Sequence, residues 1–377
     1  MRFGTKLIHN EHSIDKSTGA LSIPIYQVST YHQEDIDVNQ AYQYSRSENP
    51  TRKALEDTIA LLEGGDRGYA FSSGMAATSS VLSIFSARDH IIVCEDVYGG
   101  TYRIASAFFS RFDFDISFVD ATNVDAIKQA IKPNTKGIYL ETPSNPTLKI
   151  TDIKAISTIA NEKEIIVMVD NTFMSPYLQR PLELGAHIVI HSATKFIGGH
   201  SDVIGGLVVA KGQALCSRIY AVQNGFGAIL GPQDCWLLLR GLKTLKVRMD
   251  YQQNNAILLA QWLIDQAEVK TVYYPSLPSH PGTQIHLDQA DGPGAVLSFE
   301  TYDENLAKRF MENVKHAAVA VSLGGVETIV SYPAKMSHAS MPKSEREKRG
   351  ISNALIRISL GLEDIEDLIE DFSNALK

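Results

Sequence analysis

The chain has 377 residues, 44% hydrophobic and 21% charged, a composition that suits a globular protein of two domains better than one. Its 35 basic and 43 acidic side chains give a formal net charge of −8, and no basic block appears, which argues against nucleic acid or an anionic membrane as partner. Three scattered cysteines, Cys94, Cys216 and Cys235, make neither a disulfide framework nor a C-x-x-C pair, the N-terminus MRFGTKLIHNEHS lacks a signal-peptide core, and no run is apolar enough to span a membrane, so a cytoplasmic location is expected.

Residues 1–48 have no clear period and read as an extended arm, with tyrosines in TGALSIPIYQVSTYHQ and AYQYSRSENPT. From residue 49 the rhythm is α/β. NPTRKALEDTIALLEGG predicts a helix capped by Asn49, opened by Pro50 and stopped at Gly64–Gly65. GYAFSS is a strand and GMAATSSVLSIFSA a helix. HIIVCED, DISFVD, KGIYLETPS, IIVMVDNTF, AHIVIHSA and GGLVVA follow as strands. The helices TYRIASAFFSRF, NVDAIKQAIKP and DIKAISTIANEKE lie between the earlier of these. Short apolar runs alternating with amphipathic helices predict a mostly parallel sheet sandwiched by helices over 49–232. After GPQD a long helical stretch from Cys235 to Gln266 leads into a smaller α+β C-terminal domain, 233–377. Its strands are read near VKTVYYP, GAVLSFE, HAAVAVSL and LIRISLG, and its last helix is LEDIEDLIEDFSNALK.

Ligands of such sheets bind at the carboxyl ends of the strands, and the chemistry-bearing residues gather there. FSSGMAATSS combines a strand, a glycine turn and a helix start, a combination that can hold an anion but also reads as a plain helix-opening turn. It lacks both the P-loop and the dinucleotide fingerprints. Asp170 ends the apolar strand IIVMVD. It is either a cap or ion-pair partner, or a carboxylate facing a cationic heterocycle nitrogen, as pyridoxal phosphate sites require. Lys195 follows the strand IVIHS. A lysine there can snorkel to water, or it can form a Schiff base with an aldehyde cofactor. Ser192 and Thr194 beside it favour the second reading, since two hydroxyls can hold a phosphate. Tyr98, in EDVYGGTY, is packing or a ring-stacking proton exchanger. Arg357, in the apolar LIRISLG, needs an anion, from a protein or a substrate carboxylate. His191 and His200 have no metal-ligand spacing, so no metal site is expected. His338 reads as structural.

In this order YSRSENPT, FSSGMAA, EDVYGGTY, ETPSNP, VDNTF, HSATKFIGGHSDVIGG, RGLKTLKVRM, SLGGVET, PAKMSHASM and LIRISLGLED resemble the motifs of the Cys/Met-metabolism family of pyridoxal-phosphate enzymes, over nearly the whole chain. The resemblance implies a PLP-dependent transferase fold of type I with pyridoxal 5′-phosphate as cofactor. It implies that Lys195 bonds the cofactor aldehyde and shuttles protons, that Asp170 pairs with the ring nitrogen, and that Thr172 lies beside the ring. Gly74, Met75, Ser192 and Thr194 would hold the phosphate and Tyr98 would stack on the ring. Tyr44 and Arg46 would reach the phosphate of a neighbouring subunit, which requires a homo-oligomer, typically a tetramer. Asn145, Ser322, Ser337 and Arg357 would hold the substrate, a small sulfur amino acid. Ser337 stands where many relatives have threonine, a change that keeps the hydroxyl.

The implied activity is carbon–sulfur lysis of the cystathionine type. Methionine γ-lyases usually carry cysteine at the position of Gly100, and γ-acting relatives often carry an acid at that of Val321. Both positions turn the expectation to β-elimination of L-cystathionine to homocysteine, pyruvate and ammonia. A γ-lyase or γ-synthase of the same fold, and a cofactor-binding protein without turnover, are the alternatives.

Overall fold

The computed structural model describes residues 1–377 apart from 36, 39 and 340. Seven strands form the first sheet: β1 (Arg67–Phe71), β2 (His90–Cys94), β3 (Asp115–Val119), β4 (Thr135–Glu141), β5 (Ile166–Asp170), β6 (Ile188–Ser192) and β7 (Gly206–Ala210). Their spatial order is β1-β7-β6-β5-β4-β2-β3. The ladders from β3 through β6 are parallel, and β7 is antiparallel to both of its neighbours. The continuous apolar runs follow from burial on both faces. In β6, Ile188 and Ile190 enter one core while Val189 enters the other. That alternation carries Ser192 to the face of Ile190 and His191 to the opposite one, where its Nε2 meets the Glu63 carboxylate at 2.6 Å.

Helix starts and stops follow local chemistry. Asn49 caps the helix Pro50–Glu63 by accepting from the N–H groups of Thr51 and Arg52, and Gly64, at φ 72°, ends it in the left-handed region. Ser73 caps the helix Gly74–Leu82 through the N–H of Ala76. That helix stops five residues before the end of the predicted span. Ile84 and Phe85 bond back only three residues, to Val81 and Leu82, and the tightened turn cannot continue as α-helix. The helix over 101–112 is also irregular: an α-turn Gly99–Arg103 widens to π pitch at Ile104–Phe108 and tightens again at Phe109–Phe112.

A second sheet contains β8 (Val269–Tyr273), β9 (Val296–Thr301), β10 (Ala318–Val319), β11 (Ile329–Ser331) and β12 (Leu355–Ser359), in the order β10-β11-β12-β9-β8. Its core packs against the helices Leu245–Ile264, Glu304–Asn313 and Ile365–Leu376. The single helical stretch expected over 235–266 is two helices, Pro232–Lys243 and Leu245–Ile264, broken at Thr244. HAAVAVSL yields only the two exposed residues of β10. The helices Phe3–Ile8, Gln213–Phe226, Thr283–Gln289, Glu304–Asn313 and Lys343–Lys348 and the strand β11 are among the additions to the predicted elements. We propose the division 1–48, 49–232 and 233–377 for the arm and the two domains. Among the described residues, no helix is long and apolar enough to cross a membrane.

Candidate active site

A cavity of about 580 Å³ opens where the carboxyl ends of β4, β5 and β6 meet the second sheet. Twelve of the expected cofactor and substrate residues line it: Gly74, Met75, Tyr98, Asn145, Asp170, Thr172, Ser192, Thr194, Lys195, Ser322, Ser337 and Arg357, and so do Gly100 and Val321. Tyr44 and Arg46 do not. Tyr44 is exposed on the arm, and Arg46 donates from Nη1 to the backbone oxygen (2.7 Å) and the Oδ1 (3.0 Å) of Asn224.

Lys195 enters the cavity because β6 ends in a turn. The N–H of Lys195 bonds Ser192 O at 3.2 Å, and the N–H groups of Gly198 and Gly199 bond Ala193 O and Lys195 O at 2.8 Å. Its Nζ donates to Ser322 Oγ at 2.5 Å. No carboxylate is salt-bridged to it among the described residues. Burial pushes the amine down to about 8, and the charge of Arg357 adds to the effect. Ser322 has φ 84°, a left-handed conformation unusual for a residue with a Cβ. Arg357 holds it there, donating from Nη2 to its carbonyl at 2.6 Å. Gly324 lets this loop press on the lysine's own backbone: a Cβ there would sit 2.6 Å from Phe196 N.

Arg357 lies in β12 and is buried without a carboxylate. Its Nη1 donates to Asn145 Oδ1 (2.9 Å), Nη2 also reaches Ser331 Oγ (3.1 Å), and Nε has no partner. Burial lowers its pKa to about 10. A fork-shaped cation on a cavity wall, bonded only to neutral oxygens, is arranged for an incoming carboxylate.

Asp170 and Glu141 end adjacent parallel strands and are Cα partners. Burial raises both carboxyls, and the Asp170 charge raises that of Glu141 further. Asp170 is the better supported as an anion. Oδ1 accepts from Thr172 N (3.1 Å) and Thr172 Oγ1 (2.5 Å), and Oδ2 from Tyr139 Oη (3.3 Å). Thr172 Oγ1 in turn accepts from Ser192 N at 2.8 Å, linking the two strand ends. The sequence places Glu141 among the strand-end candidates without giving it a role, and Tyr139 was not singled out. Glu141 carries the same signal as Asp170, an acid closing an apolar strand in KGIYLE.

Opposite Asp170, the helix Gly74–Leu82 points its N-terminus at Ser192. A Cβ on Gly74 would lie 2.9 Å from Ser192 Oγ, so glycine keeps this corner open for an anion. Thr194 Oγ1 is tied to Gly205, accepting its N–H at 3.1 Å. His338 is buried against Ser337 Oγ (2.9 Å), and burial pushes it down to about 4, in keeping with a structural neutral imidazole. Glu11, His12 and Asp57 gather elsewhere, outside the cavity, with Lys53 Nζ already bonded to Asp57 at 2.9 Å.

An amine without an anion, a hydrogen-bonded carboxylate facing the same cavity and an open helix N-terminus fit the aldehyde, ring nitrogen and phosphate of pyridoxal phosphate. With a seven-stranded, mostly parallel sheet behind them, they define a pyridoxal-phosphate enzyme of fold type I. Comparison narrows the class. The chain belongs to the Cys/Met metabolism PLP-dependent enzyme family, whose model matches residues 4–377. It is 55% identical over 373 residues to the cystathionine beta-lyase of Bacillus subtilis, covering 99% of this chain and 96% of that protein. It is 52% identical to a cystathionine beta-lyase of Lactococcus lactis subsp. cremoris, covering 99% and 98% of the two chains. The crystal structure of cystathionine gamma-lyase from Lactobacillus plantarum, complexed with L-serine, superposes with a TM-score of 0.98 at 47% identity, covering 100% of this chain and 98% of that one.

Proposed function

We propose that the chain catalyses β-elimination of L-cystathionine with pyridoxal 5′-phosphate, giving homocysteine, pyruvate and ammonia. The observation that carries this reading is a buried amine and a buried guanidinium, Lys195 and Arg357, neither with a carboxylate partner among the described residues, in the cavity that Asp170 also lines. The cofactor, when bound, accepts the electron pair left at the substrate α-carbon and so makes that carbon acidic. Arg357 grips the α-carboxylate in a fork, with Asn145 and Ser337 bordering it. Lys195, as a neutral amine, takes the α-proton. Asp170, held by Thr172 and Tyr139, would face the ring nitrogen of the bound cofactor, and Tyr98 would lie over its ring. The bond from the β-carbon to sulfur breaks, the sulfur takes the proton that Lys195 removed and leaves as homocysteine, and addition of one water to the remaining three-carbon unit yields pyruvate and ammonia.

Two positions favour β- over γ-chemistry. At Gly100 a Cβ would lie 2.5 Å from Tyr98 Cε1 and 2.7 Å from Met75 Sδ, so the tyrosine ring fills the space of any side chain there. Val321 is exposed on the cavity wall and offers no charge to the distal amino group. Supplying L-cystathionine and identifying the keto acid tests the reading. Pyruvate is expected, and 2-oxobutyrate as the main product would replace it with a γ-lyase.

The lowered amine has its own signature. Protein freed of cofactor is expected to bond added pyridoxal phosphate at a rate that rises with pH and levels off above about 8, where Lys195 becomes neutral. A midpoint near 10.5, the ordinary lysine value, would contradict the desolvated setting. We further assign Tyr44 and Arg46 to the phosphate of a neighbouring subunit in a homotetramer. Arg46→Ala is expected to weaken cofactor retention about 10-fold, measured by dialysis against buffer, since a charge-assisted bond to phosphate contributes roughly 1.5–3 kcal/mol. Unchanged retention removes the arm from the site.

A further inference from the structure

Glu141 is 6% exposed, lines the cavity and, among the described residues, has no cationic partner. Oε2 accepts the backbone N–H of Tyr98 at 2.7 Å. This side chain therefore ties the loop that carries the ring-covering tyrosine to the end of β4. Elsewhere the loop is held by Arg349 Nε on Glu95 O (2.9 Å), by Lys149 Nζ on Asp96 Oδ2 (2.7 Å) and by the buried Val97, so Glu141 is the local tie at Tyr98. Tyr98 itself is 41% exposed, its side chain makes no capping bond to the helix that follows, and its neighbour Gly99 packs so closely on Ser337 O that a Cβ would lie 2.6 Å away.

We propose that Glu141 is a positioning residue that sets the height of Tyr98 over the cofactor ring. This rests on the reading of the cavity as a pyridoxal-phosphate site. What the Tyr98 N–H needs is an acceptor at a fixed reach, not a negative charge. Burial and the neighbouring Asp170 charge, which raise this carboxyl, agree with a neutral group. A glutamine presents the same carbonyl oxygen at the same reach. An aspartate is one methylene shorter, so its oxygens withdraw by about 1.5 Å from a hydrogen bond whose usual length is near 2.9 Å.

The test compares Glu141→Gln and Glu141→Asp in the holoenzyme, by visible circular dichroism of the bound cofactor and by hydrogen exchange of the 97–100 amides. Glu141→Gln is expected to keep the wild-type dichroism and exchange. Glu141→Asp is expected to lose about half the dichroic amplitude and to exchange the Tyr98 amide about 10-fold faster, because its N–H loses its acceptor. Glu141→Ala, where it folds, is expected to match or exceed the aspartate variant. An aspartate variant indistinguishable from wild type overturns the proposal, and so does a glutamine variant as disturbed as the aspartate one. Hydrogen exchange reads the loop whether or not the cofactor assignment holds. Failure of that assignment shows separately, as a wild-type protein with no visible dichroism.

Discussion

Lys195→Ala is expected to abolish turnover of cystathionine, lowering kcat on the order of 10³-fold or more, because proton transfer and positioning are lost with one amine. The fold is expected to survive. Lys195 Nζ has a single hydrogen-bond partner, Ser322 Oγ, which faces the cavity and can bond water instead. The thermal midpoint should therefore stay within a few degrees of wild type, the range of about 1 kcal/mol. Removing a desolvated amine also relieves the cost of burying it, which offsets part of the lost packing. Retention of more than about one hundredth of the wild-type rate would contradict the assignment, since general acid–base groups contribute roughly 10²- to 10⁴-fold.

Arg357→Ala is expected to lower kcat/KM by about 10²- to 10³-fold, chiefly through KM, as truncating a buried charge that binds a carboxylate costs roughly 2–5 kcal/mol. Arg357→Lys separates charge from shape. Lysine restores a cation but not the fork, so it is expected to recover only part of the loss and to remain about 10-fold or more below wild type. The guanidinium also donates to Asn145 Oδ1, Ser331 Oγ and Ser322 O, and a lysine can serve no more than one or two of these. The absorbance of the bound cofactor should be unchanged in both variants. A fully active lysine variant would contradict a two-point grip on the carboxylate.

Most of the cavity was legible because its residues sit where strands end. Lys195 and Asp170 each close an apolar run, and an ionisable residue placed there breaks the pattern in a way that one sequence can reveal. Gly74 was legible as a turn between strand and helix. Glu141 closes a run in the same way and stood among the strand-end candidates, but it received no role, because a second carboxylate has no place in a motif that needs only one. Tyr139 was hidden inside its strand as an ordinary β-former, and its bond to Asp170 depends on the pairing of β4 with β5. The contact between His191 and Glu63 spans 128 residues of sequence and could not be read from spacing. Helix lengths failed for a local reason: the residues after Leu82 remain apolar, so periodicity continues where the hydrogen bonding tightens. The strand Ile329–Ser331 is only three residues long and gives too little alternation to recognise.

Borohydride reduction of the cofactor-loaded protein, followed by peptide mapping, tests the covalent anchor directly. Reduction makes the bond between lysine and cofactor permanent, so the modified peptide identifies the amine. The expected result is a single labelled peptide spanning HSATKF, with the cofactor on Lys195. A label on any other lysine, or a protein that takes up no label, would contradict the assignment of this cavity.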